Sequence, residues 1–216
     1  MERVMDATLS EFTEALASAE PTPGGGGATA LAGALAASLT AMVVRLSVGR
    51  PAYEQHAALH AEVLAASDSA RLRFLGLADE DATAYRAFME ARRLPHDSKE
   101  QELRRAAASR DAARRAAIVP LTIVQQCHHQ IDLVERLAGR GNANAASDLD
   151  VAALLLECAA KGAGANVTVN LAAVEDEGFA DAALAELDQR LRQIQGATAR
   201  TRERVRKGGQ RRAEQA

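Results

Sequence analysis

The chain has 216 residues, enough for one domain or one domain with an appendage. It is 48% hydrophobic but only 3% aromatic, with no tryptophan, so its core is built from alanine and leucine and favours closely packed helices over a β-sandwich. A net charge of −3 argues against a nucleic-acid binder, and two cysteines, Cys127 and Cys158, form neither a disulfide framework nor a metal-ligand pattern.

The pattern is helical almost throughout. Residues 10–19 read as a short helix, with Leu9, Phe12, Leu16 and Ala19 at helical spacing. Pro21-Thr22-Pro23-Gly24-Gly25-Gly26-Gly27 follows, and a small-residue helix is predicted over 28–48. Its apolar stretch is a weak membrane span, relieved by Gly33, Ser38 and Thr40, and reads better as a buried helix. Gly49 closes it, and Pro51 suits the first turn of the next helix, which spans 52–93 and would be on the order of 60 Å long.

Leu94-Pro95-His96-Asp97 is a turn, and Ser98 with Gln101 three residues on has the form of a capping box. The helix behind it is expected to reach Leu137, kinked at Pro120. A polar turn spans 139–146. Ser147 is expected to cap a helix running to Val174, interrupted by Gly162 and Gly164. A last helix covers 179–205. The whole predicts an all-α, up-and-down bundle over residues 1–196, with a basic, solvated tail over 197–216. The N-terminus, Met1-Glu2-Arg3-Val4, has no hydrophobic signal region, which points to a soluble protein of the cytoplasm, with no membrane partner.

The glycine run is the strongest candidate site. It resembles a phosphate cradle, but the nucleotide signature needs a preceding strand and Gly-Lys-Ser/Thr, whereas here a helix precedes and Ala28-Thr29 follows. A turn permitting tight helix packing competes with a site where helix N–H groups meet a ligand. Asp81, four residues before Tyr85 and set among alanines, can serve as a general acid or base, although from spacing alone three acids on a solvated face explain Asp79-Glu80-Asp81 better. Asp148 suits a helix start, where capping is its default role.

Asn142, Asn144, Asn166 and Asn170 are unusual as a set. The last two lie one turn apart on an apolar surface, and their amides suit a heterocycle with a mixed donor and acceptor edge. His56 and His60 have zinc-compatible spacing but no third ligand, so no metal is expected. The basic residues from Arg200 to Arg212 read as a solvated helix end rather than a nucleic-acid contact.

Together these motifs resemble the cyclodeaminase/cyclohydrolase family of tetrahydrofolate enzymes. The resemblance rests on Pro-Thr-Pro-Gly-Gly-Gly-Gly before a small-residue helix, Asp81-x-x-Ala84-Tyr85 with Met89 and Leu94-Pro95, Gly141-Asn142-x-Asn144-x-x-Ser147-Asp148, and Gly164-Ala165-Asn166-x-x-x-Asn170. It covers about residues 8–195 and looks nearer the stand-alone methenyltetrahydrofolate cyclohydrolase than the bifunctional enzyme. Three positions depart from the family pattern: Arg45 in Arg45-Leu46-Ser47, Arg50 before Pro51, and His96 after Leu-Pro.

The resemblance implies an all-helical homodimer with a folate site near the subunit interface. It implies no cofactor beyond the tetrahydrofolate substrate. Asp81 would be the acid/base and Asp148 the electrostatic stabiliser of a cationic folate. Pro23 and Gly24, Gly25, Gly26 and Gly27 would hold the ligand, with Tyr85, Asn142 and Asn144 beside it. Arg50 and Lys161 would meet an anionic tail, and Asn166 and Asn170 would read the pterin edge. The expected reaction is hydrolysis of 5,10-methenyltetrahydrofolate. The alternatives are cyclodeamination of formiminotetrahydrofolate with release of ammonia, and non-catalytic folate binding.

Overall fold

The computed structural model describes residues 3–213. Six α-helices follow in order: α1 (Leu9–Ala17), α2 (Gly25–Arg45), α3 (Ala57–Arg92), α4 (Lys99–Leu137), α5 (Ala146–Leu171) and α6 (Glu177–Ala213). Short 3-10 turns lie at Val4–Asp6, Pro51–His56 and Ala143–Ala145. Helices α2, α3, α4 and α5 close a four-membered ring, each packed on the next, and α6 lies on α4 and α5. Among the described residues there is no strand.

Local chemistry sets most boundaries. Thr8 and Glu11 form a reciprocal capping box that starts α1. Ser98 caps α4 through the Gln101 N–H, but the Gln101 side chain accepts from Asp97 rather than Ser98, so the expected box is displaced by one residue. Gly49, at φ 76°, ends the turn after α2. Helix α2 starts three residues earlier than expected, because Gly25, Gly26 and Gly27 take ordinary helical geometry and Gly24 is its N-cap. None of these four has a positive φ. At Gly26 it is the absence of a side chain that matters, since a Cβ there would collide with Asp81 Oδ1.

The same reason explains why Gly162 and Gly164 do not interrupt α5. A Cβ on Gly162 would lie 2.6 Å from Thr29 Cγ2, and one on Gly164 would press on Leu187 and Leu191. Gly33 likewise lets α2 meet the ring of Phe74, where a Cβ would lie 2.5 Å from Cε1. Helix α2 is apolar enough to cross a membrane by length and composition, yet 56% of that window is buried against the bundle. Phe74, Leu77, Ile123, Ile131, Leu156 and Ile194 fill the centre. Buried Gln130 ties α3 to α4 by accepting from Ser67 Oγ and donating to the Ala66 carbonyl.

Two further expectations change. Ser147 does not cap α5; the Asn142 side chain instead caps the preceding 3-10 turn by accepting from the Asn144 N–H. The basic segment expected to be a frayed tail from residue 197 is helix through Ala213, with Ala197, Thr198 and Thr201 buried. Arg200 grips the Glu135 carboxylate with two bonds of 2.8 Å, and Arg202 pairs with Asp150 at 3.1 Å. Residues 214–216 lie outside the described residues.

Two glycine substitutions separate packing from propensity. Gly33→Val should lower unfolding free energy by about 2 kcal/mol, because the side chain enters the space of fully buried Phe74. Gly76 in α3 has nothing within 4 Å of a Cβ position, so Gly76→Ala should raise stability by about 0.5–1 kcal/mol. Denaturant titration of the two variants checks both signs.

Candidate functional site

The N-terminus of α2 opens into a cleft of about 590 Å³. Gly24 holds extended backbone, and the first helical bond runs from the Ala28 N–H to the Gly24 carbonyl at 3.0 Å. The N–H groups of Gly25, Gly26 and Gly27 therefore have no acceptor in the helix. Pro21, Thr22, Gly24, Gly25 and Gly26 line the cleft. Pro23 and Gly27 do not; Gly27 is buried against Pro23 and Phe12 and supports the loop from beneath.

One wall is the second half of α3. Asp81, Tyr85, Phe88, Met89 and Arg92 recur on one helical face and all line the cleft. The Asp81 carboxyl lies directly against Gly26, where any Cβ would collide with its carboxyl carbon and both oxygens. No hydrogen bond or ion pair reaches that carboxyl among the described residues. Burial pushes its pKa above the ordinary aspartate value. An unpartnered carboxyl of raised pKa, beside unpaired helix N–H groups, can take up or release a proton on a bound ligand. Arg92 stands 5.8 Å from the Phe88 ring centroid and, among the described residues, is the only cation lining the cleft.

The opposite wall comes from α5 and α4. Asn166 and Asn170 line it with Val169, Ala113 and Ala116. Both amides have already spent a donor: Asn166 Nδ2 donates to the Gly162 carbonyl at 3.2 Å and Asn170 Nδ2 to the Ala116 carbonyl at 2.7 Å. Each amide keeps Oδ1 and its second N–H, so the two can offer a ligand both acceptor and donor atoms.

The other predicted residues are not at this cleft. Arg50 lines a cavity of about 630 Å³ near the opposite end of α2, with Ser47, Tyr53 and His60. Asn142 and Asn144 line a third cavity of about 670 Å³ between α4, α5 and α6. At ~1.5 Å per residue, the 21-residue α2 puts roughly 30 Å between its ends. Asn142 is engaged in the fold: its N–H donates to Ser47 Oγ at 2.7 Å, its Nδ2 to the Leu46 carbonyl at 3.1 Å, and its Oδ1 accepts from Asn144. Asp148 sits in the first turn of α5, and Lys161 pairs with Glu157 at 2.5 Å.

Arg45 bonds Asp68 at 2.7 Å on the outer surface, so that departure from the family pattern does not touch the cleft. His60 donates to the Arg140 carbonyl at 2.8 Å, and no group of three potential metal ligands occurs among the described residues. Sequence reasoning missed Arg92, Phe88 and the Ala113–Ala116 wall. The first two were findable, at eleven and seven residues beyond Asp81 respectively, on the same face.

A family model described as formiminotransferase-cyclodeaminase matches residues 8–189. Methenyltetrahydrofolate cyclohydrolase of Methylorubrum extorquens is 39% identical over 181 residues, which are 84% of this chain and 87% of that protein. Formimidoyltransferase-cyclodeaminase of Sus scrofa is 34% identical over 79% of this chain, but the match spans only 32% of that longer protein. The crystal structure of formiminotetrahydrofolate cyclodeaminase from Thermotoga maritima superposes with a TM-score of 0.85 at 30% identity, covering 94% of this chain and 98% of that one. The chain belongs to the formiminotransferase-cyclodeaminase family.

Burial of the Asp81 carboxyl gives stability a definite pH dependence. A carboxyl whose pKa is raised in the folded state holds its proton more tightly there than in the unfolded chain. Its ionisation lowers stability as pH climbs from the unfolded value through the folded one, and below the unfolded value the penalty is absent. Asp81→Asn should therefore raise Tm relative to the parent at pH 7, with the gain shrinking toward zero near about pH 3. A gain that grows on acidification would contradict the assignment.

Proposed function

We propose that this chain hydrolyses 5,10-methenyltetrahydrofolate to 10-formyltetrahydrofolate. The observation that carries the reading is the unpartnered Asp81 carboxyl, set against the α2 N-terminus in a cleft whose opposite wall offers amide oxygens. The methenyl bridge is cationic, and Asp81, Asn166 and Asn170 surround it with negative or partly negative oxygen. The similarity to the Methylorubrum cyclohydrolase along most of both chains supports the same substrate.

In the proposed reaction, ionised Asp81 takes a proton from water as its oxygen attacks the bridging carbon. The cation becomes a neutral carbinol. Asp81 then returns that proton to N5 as the bond between carbon and N5 breaks, the carbinol loses its O–H proton to solvent, and the formyl group stays on N10. One water is consumed and one proton is released. The raised pKa of Asp81 suits both transfers, since a weaker acid is a stronger base in the first step. The free N–H groups of Gly25 and Gly26, with Arg92, suit an anionic part of the ligand. No group beyond the folate enters this scheme.

The likeness to the Thermotoga cyclodeaminase favours a second reading, in which a folate nitrogen attacks a formimino carbon and ammonia leaves. The same carboxyl would carry the proton. Near-ultraviolet absorbance of methenyltetrahydrofolate, followed where spontaneous hydrolysis is slow, separates the readings. Enzyme-dependent loss is expected, falling by ~10²-fold in Asp81→Asn. Gly26→Ala should act in the same direction by displacing the carboxyl. Ammonia release from formiminotetrahydrofolate without methenyl hydrolysis would select the second reading, and binding without either turnover a silent folate binder.

We further propose a cytoplasmic homodimer. Both cysteines are free thiols, which a reducing compartment preserves. Leu35, Met42 and Leu46 of the α2 segment and Val151 and Leu154 of α5 leave an exposed apolar face on two neighbouring helices. A two-fold axis across that face would bring one subunit's cleft toward the partner's opposite end, which carries Asn144 and Asp148. Sedimentation should show a dimer, and Leu35→Glu combined with Leu154→Glu should dissociate it. A monomeric parent protein would refute the assembly.

A further inference from the structure

In a regular α-helix the N–H of residue 120 donates to the carbonyl of residue 116. Residue 120 is proline, which has no N–H and whose ring crowds the carbonyl four residues back. Helix α4 nevertheless runs through this point, from Lys99 to Leu137, with Pro120 buried. The carbonyl deprived of its helical donor is that of Ala116, and it is this oxygen that accepts from Asn170 Nδ2 at 2.7 Å. Asn170 belongs to α5, so a side chain from the facing helix fills the gap that the proline opens.

The consequence reaches the cleft, because Ala116 and Asn170 both line it. An asparagine amide has two ends of nearly equal shape, and its partners decide which way it points. Only the NH₂ end can face a carbonyl oxygen. The Ala116 carbonyl therefore fixes the amide, leaving Oδ1 as the atom that is not committed to it. A backbone N–H at position 120 would compete for the same oxygen and loosen that choice.

We propose that Pro120 is a positioning residue for the site. By withholding an N–H from the Ala116 carbonyl, it keeps that oxygen for Asn170 and sets Asn170 as a hydrogen-bond acceptor toward the ligand. The matching ligand chemistry is an N–H donor edge, such as the amino and ring N–H groups of a reduced aminopyrimidine. The choice of ligand rests on the folate reading above. The fixing of the amide does not.

The test is a double-mutant cycle with a structural readout. Pro120→Ala restores a helical bond and should fold. It should raise KM for 5,10-methenyltetrahydrofolate by about three- to tenfold, the worth of one hydrogen bond, while kcat stays within about twofold. In an Asn170→Ala background the same substitution should leave KM unchanged. An unchanged KM in Pro120→Ala alone, or an equal rise in both backgrounds, would overturn the proposal. Asparagine-selective ¹⁵N labelling reads the amide without any ligand: the side-chain NH₂ of Asn170 should exchange with solvent several-fold faster in Pro120→Ala, by roughly fivefold. Equal exchange in the two proteins would overturn the proposal even in an active enzyme. Faster exchange in a protein that neither binds nor turns over folate would uphold the positioning role and refute the folate reading instead.

Discussion

The approach of the first turn of α2 to the Asp81 carboxyl is the constraint on which the site depends. A helix can bring its N-terminal N–H groups this close to a side chain of another helix only if no Cβ intervenes, and Gly26 supplies that absence. Two further contacts along α2 hold the geometry. Gly33 meets Phe74 of α3, and Thr29 meets Gly162 of α5. The helix is thus pressed against both neighbours over its first turns, and the cleft is what remains where the three diverge. An Ala-rich sequence makes this distance attainable, since small side chains permit short interaxial separations and lose little rotamer entropy when buried.

Polarity in the cleft is set by where donors have already been used. Asn166 and Asn170 each commit one N–H of Nδ2 to the carbonyls of Gly162 and Ala116, and among the described residues no donor reaches the Asp81 carboxyl. One side of the cleft therefore offers oxygen to a ligand, while the α2 terminus offers unpaired N–H groups. A ligand with a cationic or N–H-rich head and an anionic end fits this division. Burial and the helix terminus act on Asp81 in opposite directions, the first disfavouring its charge and the second favouring it. Burial raises its pKa above the ordinary aspartate value.

Much of this was legible in the sequence, and the remainder was hidden for identifiable reasons. Helical periodicity gave all six helices in order. The glycine run, Asp81, Tyr85, Asn166 and Asn170 were singled out from residue type and spacing, and Gly24, Gly25 and Gly26 meet the other four in one cleft. The glycines misled in one respect. Four in succession suggest a loop, but a glycine needed for close contact is indistinguishable in sequence from one needed for a positive φ. The same ambiguity made Gly162 and Gly164 look like a break in α5. Asn142 and Asn144 were grouped with the site because their motif resembles the family pattern, and Arg50 and Lys161 because their charge suits an anionic tail. A motif fixes a residue's identity and not its distance from another motif, and α2 keeps Arg50, Asn142 and Asn144 at its far end. The order of the segment from residue 197 was missed because the partners of Arg200 and Arg202, Glu135 and Asp150, lie on other helices and long-range ion pairs leave no local signal.

The site occupies the part of the bundle where the fold gives up most of its own satisfaction. Away from the cleft, several buried polar groups are matched, His60 with the Arg140 carbonyl, Gln130 with Ser67 and Ala66, Asn142 with Ser47 and Leu46, although the Thr201 hydroxyl of α6 is not. At the cleft, a half-buried carboxylate has no partner and the first N–H groups of α2 have no intrahelical acceptor. Each such group lowers stability unless a ligand or water meets it. Their concentration at one place follows from the geometry of a helix start pressed against a carboxyl, and it makes the bound state the one in which these groups are satisfied. A ligand carrying both a proton-exchanging centre and an anionic end would restore the missing partners on both sides of that contact. The same features thereby supply the cleft's affinity and its acid/base group together.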